Sequence, residues 1–121
     1  MPEALAYVAA GIVFLWGVSH IIPTRQVVAG FGDIGRDNGF IITMEWVAEG
    51  LSFIFVAVLI VAVTWSGKAA EDLVYWVTVG FLMTIGAWTA MTGARTKVIW
   101  FKMCPVVMTV CSGLLIAASL L

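Results

Sequence analysis

Two carboxylates stand one helical turn apart in Met44-Glu45-Trp46-Val47-Ala48-Glu49-Gly50, at the start of a long apolar run. Residues four apart share a helix face. With the apolar boundary near residue 42, Glu45 and Glu49 lie roughly 5 and 10 Å inside it. An acid within a bilayer costs about 2.5 to 3.5 kcal/mol at the centre and less near the surface, so both side chains should face protein or water and not lipid. The single histidine, His20, ends another apolar run at a matching depth, and Thr43, Thr89 and Thr92 share that half. Arg25, Arg36 and Arg95 lie just beyond it, on stems long enough to reach inward. The expectation is a polar pocket in which His20, Glu45 and Glu49 carry any catalysis, with Arg25, Arg36, Thr89 and Arg95 as ligand-binding residues.

Three chemistries suit this set. In the first, the glutamates pair with His20 and the arginines and serve as interhelical glue. In the second, a desolvated Glu49 exchanges a proton with an amphipathic molecule entering from lipid. In the third, one imidazole and two carboxylates hold iron, zinc or manganese; with no second histidine and no thiol at matching depth, no metal ligand is assigned. Nucleophilic catalysis lacks a pair, because Ser19 and His20 are adjacent and point about 100° apart on a helix.

The elements that position these groups follow from composition. Of 121 residues, 63% are hydrophobic and 11% charged, against roughly 25% charged in a soluble domain, and the mean hydropathy is +1.11. The fold class is therefore all-α, a membrane-spanning four-helix bundle forming one transmembrane domain over 1–121. A bilayer core needs roughly 20 apolar residues per helix, and segments of about 4–22, 42–64, 72–92 and 98–121 meet that length. The first is read as a retained span, since Met1-Pro2-Glu3 supplies no positive region and no small-residue cleavage pattern follows His20-Ile21-Ile22-Pro23. A net charge of −1 leaves no basic stripe, so nucleic acid is not an expected partner. Cys104 and Cys111 are seven apart on one helix, about 10 Å along its axis, too far to bridge, and are read as packing residues.

Arg25, Arg36, Arg95, Lys97 and Lys102 fall on one side of the membrane and Lys68 on the other, which places both termini outside the cytoplasm. Trp65 and Trp76 mark the outer interface, Trp46, Trp88 and Trp100 the inner one, and Trp16 lies deeper. Small residues that would let helices approach are Ala6 and Ala10, Gly86 and Ala90, and Thr109, Gly113 and Ala117. Pro105 should start or kink the fourth helix, leaving Lys102 free to reach the interface. The stretch 23–41 reads as a Gly-rich cytoplasmic loop that caps the bundle, with a turn at Asp37-Asn38-Gly39 and with Val27, Val28 and Phe31 able to dip into the headgroups. It lacks a phosphate-cradle pattern.

The first span, "GIVFLWGVSH", has a Gly-x-x-Phe-Leu-x-Gly-x-x-polar cadence, and the second, "EWVAEGLSFIFVAVL", places acids before glycine and aliphatics. In these features the chain resembles DoxX-like small membrane proteins, with His20 standing where family members often carry Lys. The resemblance implies a four-helix membrane bundle and links to membrane redox systems, quinone-linked sulfur oxidation or the assembly of partner membrane proteins. The leading expectation is a non-catalytic module of a bacterial inner membrane, set in the lipid bilayer, that binds a lipid-like molecule or a partner membrane protein, as a homo-oligomer. The rivals are an enzyme acting by acid-base or redox chemistry on a quinone or isoprenoid, with Glu49 as base and His20 as acid, and a proton or ion transport subunit. No cofactor is assigned.

Overall fold

The structure, a computed structural model, describes residues 2–67 and 69–121. Five α-helices make up almost all of it: α1 (Pro2–Ile21), α2 (Thr24–Ala29), α3 (Arg36–Ser66), α4 (Glu71–Met91) and α5 (Ile99–Leu120), with a single 3-10 turn at Gly93–Arg95. Among the described residues there is no strand. Helices α1, α3, α4 and α5 are each long and apolar enough to cross a membrane. They form an antiparallel four-helix bundle, and the protein is a small multi-pass membrane protein.

Local chemistry explains the ends. Pro2 opens α1, where a missing N–H costs nothing, and α1 stops two residues before Pro23, whose ring disfavours helix in the residue ahead of it. Gly67 ends α3 in the left-handed conformation, φ 54°, its N–H donating to the carbonyls of Val63 and Thr64. Glu71 and Asp72 place negative charge at the start of α4. Pro105 lies inside α5 and neither begins nor ends it. Lys102 Nζ donates to the carbonyl of Ala94, 2.9 Å away, and ties the α4–α5 connection to the first turn of α5.

The expected loop over 23–41 is largely helical. Helix α2 occupies its first part and packs on α3, while α3 begins at Arg36, six residues ahead of the expected boundary at 42. Asp37-Asn38-Gly39 is accordingly the first turn of a helix: Asp37 sits where the helix dipole favours an acid, and Asn38 Nδ2 donates to the carbonyl of Ile34 at 2.8 Å. The break falls instead at Gly32 and Gly35, with φ of 76° and 78°, conformations that residues with a Cβ rarely adopt. Lys68, the sole basic residue on its side of the charge count, and Met1 lie outside the described residues.

Helix order in space differs from order in sequence. Helix α1 lies between α3 and α5 and packs on both, α4 packs on α5, and α3 and α4 touch only sparsely. The core is a column of Ala6, Ala9 and Val13 from α1, Phe53 and Ile60 from α3, Tyr75 and Leu82 from α4, and Met108 and Leu115 from α5. Ala6 and Ala10 are buried, and Gly86 lets α4 approach Met108, as their small size suggests. The proposed ridge on α5 faces away: Thr109 and Gly113 are exposed, whereas Cys104, Met108, Cys111 and Leu115 turn inward. Ala90 is exposed as well. Trp65, Trp76, Trp88 and Trp100 all lie on the outer surface near helix ends, the pattern of interfacial rings.

Candidate functional site

The site begins with two glycines. A Cβ on Gly17 of α1 would lie 2.8 Å from the carbonyl oxygen of Gly50 on α3, and one on Gly50 would run into Ile21. Two bare backbones therefore set the α1–α3 crossing. His20 lies one turn beyond Gly17 and Trp46 one turn before Gly50, so the crossing brings them together: the rings stack with centroids 4.0 Å apart and planes 14° from parallel. Trp46 Nε1 donates to the carbonyl of His20 at 2.7 Å, satisfying an acceptor that the end of α1 leaves without a helical partner. Phe53 sets its edge against the imidazole at 6.2 Å, and Phe101 of α5 sets its edge against Trp46 at 5.8 Å.

Enclosed in this way, the His20 side chain is 12% exposed, while Glu49 beside it is 37% exposed. Nε2 of His20 and Oε2 of Glu49 are 3.6 Å apart. That distance allows charge attraction but exceeds a hydrogen bond, and Nε2 is buried with no hydrogen-bond partner. Trp16 Nε1, one turn earlier on α1, is likewise buried and unpaired. Cys104 of α5 sits beside Trp16 and Thr89, so a thiol does reach this depth, contrary to the sequence expectation. Both cysteines are buried and free. Among the described residues no three His, Cys, Asp or Glu side chains converge closely enough to hold a metal ion.

Glu45 and Glu49 part company at this point. Glu45 is exposed on the outer flank of α3, and yet both acids line the same lateral cleft of about 490 Å³ between α3 and α4. Ile41, Ile42, Trp46 and Ser52 complete the α3 wall, Phe53 lies at its base, and Phe81 and Ile85 of α4 form the opposite wall. The cleft exists because α3 packs mainly on α1 and α4 mainly on α5, leaving the seam between them open.

The structure does not draw the expected arginines in. Arg25, Arg36 and Arg95 are all exposed; Arg36 lies over the Phe40 ring at 5.3 Å, and among the described residues no Lys or Arg lies within 4.0 Å of a carboxylate, the His20–Glu49 contact being ionic only with the imidazole protonated. Full hydration of a guanidinium at a helix end competes with a carboxylate farther along the bundle. The Thr89 hydroxyl turns back on its own helix, toward the carbonyls of Ile85 at 2.9 Å and Gly86 at 3.1 Å.

A second polar cluster lies at the opposite end of the same seam. The hydroxyls of Thr64 and Tyr75 are 2.5 Å apart; Tyr75 donates to Glu71 Oε1 at 2.7 Å, and the single Thr64 proton is shared between the Tyr75 oxygen and the carbonyl of Ile60, 2.7 Å away. Nearby, Ser119 donates to Asp72 at 2.9 Å and joins α5 to α4. Sequence reasoning missed this cluster, although Glu71 and Tyr75 are four apart on one helix face. It also treated Trp46 only as a depth marker, although the ring stands between two acids that share its helix. No protein-family model, curated protein or solved structure matches the chain.

Proposed function

We propose that this protein is a non-catalytic membrane module that holds an amphiphile in the lateral cleft between α3 and α4. The polar head would rest against Glu49 and Glu45, with the His20 imidazole behind Glu49, and the chain would lie along Ile41, Ile42, Phe81 and Ile85. The observation that carries this reading is the cleft itself, in which two carboxylates, Glu45 and Glu49, stand among apolar walls. Ligand sites commonly combine an apolar cavity of about 300 to 1,000 Å³ with a few convergent polar groups.

Native mass spectrometry of the purified protein tests it. The parent should retain an amphiphile-sized adduct, and Ile85→Trp, which fills the cleft from its apolar wall, should lose it while remaining folded by circular dichroism. Bare parent protein, or equal adducts on both, would overturn the reading. An enzyme acting on a quinone or isoprenoid is the second reading, favoured by the same cleft and by acids that no arginine ties down; turnover abolished by Glu49→Gln would be its sign. The five basic residues at the cleft end support placing that end in the cytoplasm, with both termini outside. Reporters fused to either terminus should then be active only on the outer side.

A further inference from the structure

Resting on that reading, the geometry points to the class of headgroup: the cleft takes a single-chain amphiphile with a cationic, ammonium-type head. Glu45 and Glu49 both line the cleft and no Lys or Arg does. The nearest candidates for neutralising them, Arg25, Arg36 and Arg95, make no ion pair with either acid. Two carboxylates one turn apart on one wall, without a Lys or Arg partner in a medium that hydrates charge poorly, attract a cation and repel an anion. Trp46, which lines the cleft beside the two acids, adds an aromatic ring at the head end, and aromatic rings attract ammonium groups. A diacyl phospholipid fits this charge pattern poorly, because its phosphate would meet two acids with no guanidinium to bind it. A single alkyl chain ending in an amine or quaternary ammonium meets acids at the head and Ile42, Phe81 and Ile85 along the tail.

The test compares two probes with one tail, pyrenedodecyl-trimethylammonium and pyrenedodecanoate, binding to the full chain in phosphatidylcholine nanodiscs. The ammonium probe should bind at least about tenfold more tightly to the parent, a difference of roughly 1.4 kcal/mol, and Glu45→Gln with Glu49→Gln should remove most of that preference. Equal or tighter binding of the carboxylate to the parent would overturn the headgroup inference and leave the cleft reading standing. A failure of both probes to bind, or probes that Ile85→Trp fails to weaken, would overturn the cleft reading itself. The parent comparison alone decides the headgroup question, so a double variant that misfolds does not rescue it.

Discussion

The seam between α3 and α4 ends in two different ways. At the end near the short α3–α4 turn, Thr64, Tyr75 and Glu71 satisfy one another in a continuous chain of hydrogen bonds, and Tyr75 is 2% exposed. At the other end, His20 and Glu49 approach without bonding, Trp16 Nε1 has no partner, and a cleft separates the helices. Both clusters are built from similar groups, an acid and an aromatic or imidazole side chain. What differs is closure. A closed polar network holds helices together, whereas buried groups left unpaired keep a free-energy deficit of about 1 to 3 kcal/mol each. One end is fastened and the other is left unfastened.

Substitutions can break or sharpen that contrast. The largest effect should come from Gly17→Val, which forces a side chain into the Gly50 carbonyl and spreads the crossing that builds the open end; we expect about 3 kcal/mol of destabilisation in detergent-titrated unfolding followed by helical circular dichroism. Tyr75→Phe at the fastened end should cost about 1 kcal/mol in the same assay, by removing a hydroxyl bonded on both sides. His20→Phe should act in the opposite sense, holding or raising stability by up to about 1 kcal/mol, because it keeps the stack on Trp46 and removes an unpaired buried nitrogen. It should also weaken adduct retention in native mass spectra. A large loss of stability in His20→Phe would show that the open end is as fully satisfied as the closed one. The smallest change belongs to Lys102→Met, which removes one exposed bond to the Ala94 carbonyl and should cost about 0.5 kcal/mol.

These residues also show how far the sequence could be read. The four long helices were legible because a span announces itself by length and hydropathy, and each observed helix lies close to its expected segment. The start of α3 was not, because Asp37-Asn38-Gly39 resembles a turn unless the left-handed break at Gly32 and Gly35 is known to precede it. His20, Glu49 and Glu45 were legible as one polar region, since rarity marks charge in an apolar chain. Their division of labour was not, because it depends on which flank of α3 packs on α1, a choice made by Gly17 and Gly50. Lone glycines at matching depth in two antiparallel spans were the available signal. On α5 the buried face follows Cys104, Met108, Cys111 and Leu115, a stripe at helical spacing that competes with the small-residue ridge and wins by filling the core.

Helix α3 has 31 residues, beside neighbours of 20 to 22. At 1.5 Å per residue it is about 46 Å long, well beyond a hydrocarbon thickness near 30 Å. Its apolar length is matched to the bilayer by leaning or by protruding, and the degree of lean varies with acyl length. Because the Gly17–Gly50 crossing ties α3 to α1 near its first half, a change of lean would carry α1 and α3 together against α4, across the sparsely packed seam.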